Sequence, residues 1–447
     1  MNHKSVSDEF LLQEQLNTDK SAKDLYQESD HRRNLYKTIE SSAFIIYGLV
    51  VLIIAIAFFT SQNILLRIKR ENEIRNTSFI QLDMGKYSGQ TDFGYFNGDG
   101  SFKFEDGSQI IGSWVDNVLT GHGEEIIPQK GKYSGHYKNS KRDGEGIFQW
   151  NSGATYSGEW KNDQLNGTGE YTDGQGTSYS GEFLDNSFDS GMCQFTNEFG
   201  EYELTYQDGN VVSAEIIFAD GSVYSGDANN KTIDGSGKLQ FATGDLYVGS
   251  FVDGVRDGKG VYTWKSGDQY DGEWENDSMS GSGIYNYADG SVLNGEFQSN
   301  AFEDGSLHTE NEFGTYDFSF KDGAPVSVEI VLTDGTTYEG DMDEQGLNGS
   351  AQIKYSNGDT YSGEVTNGMK NGNGKYTWEN GANYDGSWFS DVMQGKGTYK
   401  YTKDEDGYAL TGNFSNGLPD GDCTYYTSTT ISYKTTWQNG TCIKVEE

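Results

Sequence analysis

The feature that most constrains this chain is a short motif that returns on a fixed count. Tyr-x-Gly-x-aromatic, or a degenerate form of it, starts at Tyr87, Ile110, Tyr133, Tyr156, Tyr179, Tyr202, Tyr224, Tyr247, Tyr270, Leu293, Tyr316, Tyr338, Tyr361, Tyr384, Leu410 and Tyr433. The step is 23 residues, shortened to 22 after Tyr202 and Tyr316 and lengthened to 26 after Tyr384. A period held over such a length belongs to a repeat architecture, in which one unit cannot cover its own apolar face and stacked neighbours do so.

The unit is legible in "YSGEW", Tyr156 to Trp160, followed by "GTGEY", Gly167 to Tyr171. An extended chain sends Tyr156, Gly158 and Trp160 to one side and Ser157 and Glu159 to the other. The same alternation groups Gly167, Gly169 and Tyr171, with Thr168 and Glu170 opposite. A glycine leaves a recess over which a ring from the adjacent strand can lie. "KNDQLN" between the two segments supplies turn-forming Asn and Asp, so each unit reads as a β-hairpin with one aromatic and one polar face. Sixty glycines beside 30 Tyr, 24 Phe and 8 Trp, with only 3 Pro, fit packed β-structure with tight turns.

"YSGEWKNDQLNGTGEYT", "YVGSFVDGVRDGKGVYTW", "YDGEWENDSMSGSGIY" and "YSGEVTNGMKNGNGKYTWENG" resemble MORN repeats, over about residues 87–447. The residues that match the motif are Tyr133 and Gly135; Tyr156, Gly158, Trp160, Gly167 and Gly169; and Tyr247, Gly249, Gly258 and Gly260. They continue with Tyr270, Gly272, Trp274, Gly281 and Gly283; Tyr361 and Gly363; and Tyr384, Gly386 and Trp388. The resemblance implies an all-β, elongated, twisted antiparallel sheet of tandem hairpins, about 15 of them, used as an often oligomeric scaffold in membrane-linked assemblies. At about 4.8 Å per strand such an array would reach on the order of 140 Å.

A longer period lies over the short one. "NEFGEY" at Asn197 returns as "NEFGTY" at Asn311, and "VSAEIIFADGS" at Val212 returns as "VSVEIVLTDGT" at Val326, each 114 residues later, so five hairpins form a duplicated unit. The units at Tyr202 and Tyr316 depart from the motif and carry aliphatic alternation instead: Val212, Ala214, Ile216, Phe218, and Val326, Val328, Ile330, Leu332. Two readings apply to them, a local adjustment of the sheet or docking patches centred on Ile216, Phe218, Ile330 and Leu332.

Charge divides the chain. Of the net charge of -37, none falls in residues 1–86, which hold 11 basic and 11 acidic side chains; the rest carries 21 and 58. Clustered Lys and Arg, which phosphate recognition needs, are missing, so no nucleic acid partner is expected. Residues 1–40 read as a polar tail, and residues 41–66 hold "AFIIYGLVVLIIAIAFF", Ala43 to Phe59, 17 residues with neither charge nor amide. At 1.5 Å per residue that run approaches the roughly 30 Å hydrocarbon thickness, which predicts one transmembrane α-helix and a membrane partner through residues 41–66. Residues 67–86 form a juxtamembrane stalk in this reading. Arg32, Arg33 and Lys37 on one side nearly balance Arg67, Lys69, Arg70 and Arg75 on the other, and the lean is towards a single-pass protein with extracytoplasmic repeats.

Chemistry is sparse. The five histidines, His3, His31, His122, His136 and His308, show no ligand spacing of the H-E-x-x-H kind, and acidic turns such as "NGDG" at Asn97 do not follow a calcium-loop pattern. No metal, cofactor or catalytic residue is expected, and no enzymatic activity. Three cysteines, Cys193, Cys423 and Cys442, lack a C-x-x-C pair; in an oxidising compartment a Cys423–Cys442 disulfide would staple the last hairpins. Asn-x-Ser/Thr triplets at Asn76, Asn166, Asn230, Asn276, Asn348, Asn413 and Asn439 arise readily from turn composition.

Two function classes remain. One is a membrane-anchored, non-enzymatic scaffold for an unknown protein partner or for a second copy of the chain. The other is a cell-surface module that binds glycan or cell wall through exposed rings. Whether the rings are covered separates them.

Overall fold

The computed structural model describes residues 85–402 and 408–446. They fall into two units, 85–265 and 266–446, each an open antiparallel sheet of sixteen strands. In the first unit β1 (Gly85–Asp92) begins a series that ends at β16 (Val255–Thr263). In the second, β17 (Gln269–Glu275) begins a series that ends at β32 (Thr441–Glu446). Within each unit neighbours in sequence are neighbours in the sheet, as expected of short hairpin connections. The segment predicted to cross a membrane lies outside the described residues; among those described, no helix is long and apolar enough to do so.

The hairpin of β7 (Thr155–Lys161) and β8 (Gln164–Thr172) shows why the sequence folds locally this way. Asn162 and Asp163 form the turn with φ of 52° and 71°. Two successive positive values define the type I′ turn, whose twist matches that of the strands and which favours Asn, Asp and Gly. Asn276 and Asp277 (47° and 67°) and Ser390 and Asp391 (48° and 69°) repeat it 114 and 228 residues later.

Gly158 pairs with Gly169, but Trp160 pairs with Leu165, so residues 166–168 bulge opposite the single residue Glu159. This corrects the expected strand alternation. Gly167 sits in the bulge at φ 93°, as do Gly258 at 94° and Gly281 at 60°, and a Cβ on Gly167 would meet the Glu159 carboxylate on the polar side. Those three glycines supply a backbone conformation, while Gly158 and Gly169 supply the recess.

The recess is filled from the same strand. The Tyr156 ring lies along β7 over its own Gly158 and over Gly169 across the pair, and its hydroxyl donates to the Glu159 carbonyl at 3.0 Å. Tyr270 over Gly272 and Gly283, with a 3.0 Å bond to the Glu273 carbonyl, is the same construction.

Consecutive hairpins are clamped at their turns. The Leu165 amide donates to Asn186 Oδ1 at 2.9 Å and the Asn186 amide returns a 3.0 Å bond to the Leu165 carbonyl. Arg142 with Asp163 and Lys370 with Asp391 repeat this reciprocal pair. At the opposite edge, buried aspartates tie one loop to the next: Asp268 Oδ1 accepts from the Ala288 amide, and Asp359 Oδ1 from the Glu379 amide, both at 2.8 Å.

The two departing segments follow the same hairpin plan. In β12 (Asn210–Phe218) the register shifts between Thr205 and Tyr206 of the facing strand, which puts Val211 inward and turns Val212 to solvent at 39 % exposure. In β22 (Ala324–Leu332) the equivalent shift exposes Val326. The expected aliphatic run therefore begins one step later, at Ala214 and Val328.

Candidate functional site

The two faces of the sheet are the surfaces on which a partner or ligand could act, and they differ in accessibility. The ring face is closed around the motif tyrosines, while Trp378 and Tyr399 towards its C-terminal end are half-buried. Tyr156, Tyr270 and Tyr384 are 0 % exposed, and each meets a ring of its own strand and a ring of the next hairpin edge to face. For Tyr156 the centroids of Trp160 and Phe183 are 5.5 and 5.0 Å away at 87° and 83°. Such pairs contribute about 0.5–1.5 kcal/mol each beyond the area they bury. Two of the indole nitrogens are used as well, Trp160 donating to the Gly146 carbonyl at 3.1 Å and Trp388 to the Gly374 carbonyl at 2.9 Å.

The remaining motif residues occupy equivalent places. Tyr133 covers Gly135 and Gly146, Tyr247 covers Gly249 and Gly260, Tyr361 covers Gly363 and Gly374, and Tyr384 covers Gly386 and Gly397. Trp274 is buried with them. Burial pushes the Tyr202 and Tyr384 hydroxyls up to about 12 and those of Tyr133, Tyr156, Tyr224, Tyr270, Tyr338 and Tyr361 further.

Ile216, Phe218, Ile330 and Leu332, the candidate docking residues, lie in this closed layer with at most 7 % exposure. As they stand they form core rather than surface. Cys423 and Cys442 carry free thiols, the first buried and the second exposed. Burial raises the Cys423 thiol and takes the buried Cys193 thiol to about 12, which makes both poor nucleophiles.

A set of buried cations escaped the sequence reading. The position held by Leu165, Met279 and Met393 in their hairpins is held by Arg142, Arg256 and Lys370 in others, spaced by 114 residues. Arg142 is 3 % exposed, its guanidinium 4.6 Å from the Trp160 ring and 5.6 Å from those of Tyr133 and Phe148. Its Nε lies 3.3 Å from Asp163 Oδ1. Arg256 faces Tyr247 and Tyr262, and Lys370, 1 % exposed, sits among Tyr355, Tyr361, Tyr376 and Trp388 with Nζ 3.4 Å from Asp391. An available signal was the partner: Asp stands 21 residues after each cation, at 163, 277 and 391. These are contacts internal to the sheet, cation–π for all three and an ion pair for Arg142 and Lys370.

The polar face is open, and carboxylates oppose one another there. Glu145 pairs with Glu159, Glu203 with Glu215, and Asp317 with Glu329, which pairs in turn with Glu339. Like charges directly opposite on a sheet cost stability, so these rows are not explained by the fold. Among the described residues no group of three or more His, Cys, Asp or Glu is placed to hold a metal ion.

Comparison with known proteins agrees with this geometry in part. No curated protein matches the chain. Among solved structures, the SAS-4 (dCPAP) TCP domain of Drosophila melanogaster, in complex with a proline-rich motif of Ana2 (dSTIL), is similar at 14 % identity. That likeness covers 48 % of this chain and 88 % of that one, with a TM-score of 0.15. A streptogramin B lyase is similar at 11 % identity over 63 % of this chain and 95 % of its own, with a TM-score of 0.11. Scores this low carry no argument about fold or function. The family comparison does: residues 111–131, 133–155, 156–178, 224–246, 247–269, 270–292, 361–382, 384–404 and 411–429 match the MORN repeat model. The unmatched stretches 179–223 and 293–360 contain the departing hairpins, which keep the strand plan while losing the motif. The chain thus carries MORN repeats in nine segments, joined by hairpins of the same build.

Proposed function

We propose that this protein is a non-enzymatic MORN-repeat scaffold, anchored in a membrane through residues 41–66, that presents its polar face to a protein partner. The observation that carries the reading is the division of the sheet into a closed ring face and an open polar one. Rings that are covered by their neighbours cannot stack on sugars, which disfavours the glycan-binding alternative. The face left to a partner is rich in carboxylates, and a basic protein surface is its electrostatic complement. The anchor rests on the uncharged run from Ala43 to Phe59.

Membrane fractionation with an alkaline carbonate wash tests the anchor. The full chain is expected to stay with the membrane, and a variant lacking residues 43–59 to be released; release of both overturns the anchor. Impermeant protease added to intact cells or sealed vesicles then reports the side, cleavage beyond residue 86 being expected for extracytoplasmic repeats. The scaffold part is tested with the pair Glu145→Lys and Glu159→Lys. Proteins that co-purify with the parent should be reduced, and an unchanged set would remove the polar face from the interaction.

A further inference from the structure

We propose that His122 and His136 form a two-histidine site for a divalent transition-metal ion such as Zn²⁺, Ni²⁺ or Cu²⁺ on the polar face of the first unit. The two residues are 14 apart in sequence, a spacing without meaning in a helix or a single strand. The sheet gives it meaning. His122 on β4 (Val118–Ile127) and His136 on β5 (Gly131–Lys138) are direct partners in the antiparallel register, between the pairs Gly121–Tyr137 and Gly123–Gly135. Both side chains are exposed.

The two imidazoles meet edge to face across the strand pair. Their centroids are 5.9 Å apart with the planes at 84°, and within the described residues neither ring makes a hydrogen bond or an ion pair. His308, in contrast, is committed to Asp317 through a 2.6 Å contact at Nδ1. A metal ion bound at about 2.0–2.1 Å to one nitrogen of each ring would lie about 3.2 Å from each ring centre. An angle near 110° at the metal then puts the centres about 5.2 Å apart. The observed separation is within about 1 Å of that value, a difference that small χ rotations of two exposed side chains supply.

The pair belongs to this place and not to the repeat in general. The matching cross-strand positions hold Glu145 and Glu159, Thr168 and Glu182, and Ser282 and Glu296 in other hairpins. Two imidazoles suit zinc, nickel and copper better than calcium or magnesium, whose ligands are oxygens. The surrounding carboxylates raise the local concentration of cations without providing the nitrogen ligands. Because β4 and β5 belong to consecutive hairpins, a shared ion would link one repeat to the next. Its remaining coordination positions would stay open to water or to a donor from a partner.

The experiment uses the full chain with Zn²⁺ alone, measured by competition with a chromophoric chelator at about 0.15 M salt and with excess Mg²⁺ to occupy the carboxylates. One ion should bind, and His122→Ala or His136→Ala should each weaken it at least tenfold while His308→Ala does not. Cu²⁺ loaded at one equivalent should show coupling to two imidazole nitrogens by pulsed electron resonance. Both histidines are exposed, and an unchanged circular dichroism spectrum checks that each variant is folded. Failure to bind Zn²⁺, wild-type affinity in either variant, or a Cu²⁺ spectrum without two imidazole couplings overturns the proposal.

Discussion

Replacing Asp163 by Asn strands a guanidinium in the ring layer, and the cost can be worked from the contacts. Arg142 and Asp163 have side chains 4 % and 14 % exposed and meet at 3.3 Å. Removing one partner of a buried pair typically costs about 3–5 kcal/mol because the other charge stays buried. Two contacts soften the loss here. The Trp160 ring 4.6 Å from the guanidinium holds part of its charge, and an asparagine oxygen can still accept from the Arg142 amide, now bonded to Asp163 Oδ1 at 2.9 Å.

The expected cost is therefore near the low end, about 3 kcal/mol. In a stacked array it should appear locally, as opening of β6 (Lys141–Trp150) with β7 and β8. Native-state hydrogen exchange read by mass spectrometry over residues 141–172 should show amides exchanging on the order of 100-fold faster. Adding Arg142→Leu recreates the neighbouring solution, Leu165 with Asn186, and should return protection to within about 1 kcal/mol of the parent. Exchange unchanged by Asp163→Asn, or a double variant no better than the single, would refute the argument that the pair is held by mutual need. Asp391→Asn should cost less, since Lys370 can shed its proton where an arginine cannot.

Two further outcomes follow from the ring layer. Gly169→Ala places a methyl group 2.6 Å from carbons of the Tyr156 ring; that ring is pinned by its bond to the Glu159 carbonyl and by Trp160 and Phe183. The cost should be about 3 kcal/mol, larger than the strain of about 1 kcal/mol for Gly167→Ala at positive φ, as compared by urea midpoints. Alkaline titration should destabilise the fold in a defined window. The Tyr202 and Tyr384 hydroxyls are raised by burial to about 12, so the unfolded chain loses their protons first, near the ordinary value of about 10. Stability is complete below about pH 10 and falls as pH rises towards 12, with the more strongly raised tyrosines extending the loss. Phenolate absorbance checks it: ionisation of every tyrosine, the buried ones included, near pH 10 in a still folded sheet would contradict the burial.

The hairpin, its turn and its duplication were legible because they depend on local rules repeated many times. Asn162 and Asp163 specify a type I′ turn through their own tolerance of positive φ, and Tyr156, Gly158 and Trp160 alternate as any strand must. Alternation failed where the backbone broke it. Parity grouped Gly167 with Gly169 and Tyr171, and Val212 with Ala214 and Ile216, and bulges sent both to the other side. A bulge adds a residue to one strand only, so its effect on facing depends on the partner strand as well as on the segment itself. The buried cations were visible as a 114-residue recurrence of Arg142, Arg256 and Lys370, but a lysine or arginine in a polar turn region reads as solvated until the rings around it are placed.

By itself the sequence determined the repeat, the polarity of the two faces and the acidic character of the chain beyond residue 86, since these are properties of spacing and composition. Tertiary structure alone decided which side chains meet across strands. Strand register set His122 against His136 and Glu145 against Glu159, and it closed the rings of Tyr156 and its equivalents against the next hairpin. Register is a relation between two strands, fixed by turns and bulges acting together. A spacing of 14 residues acquires chemical meaning only when the intervening turn has returned the chain to its neighbour.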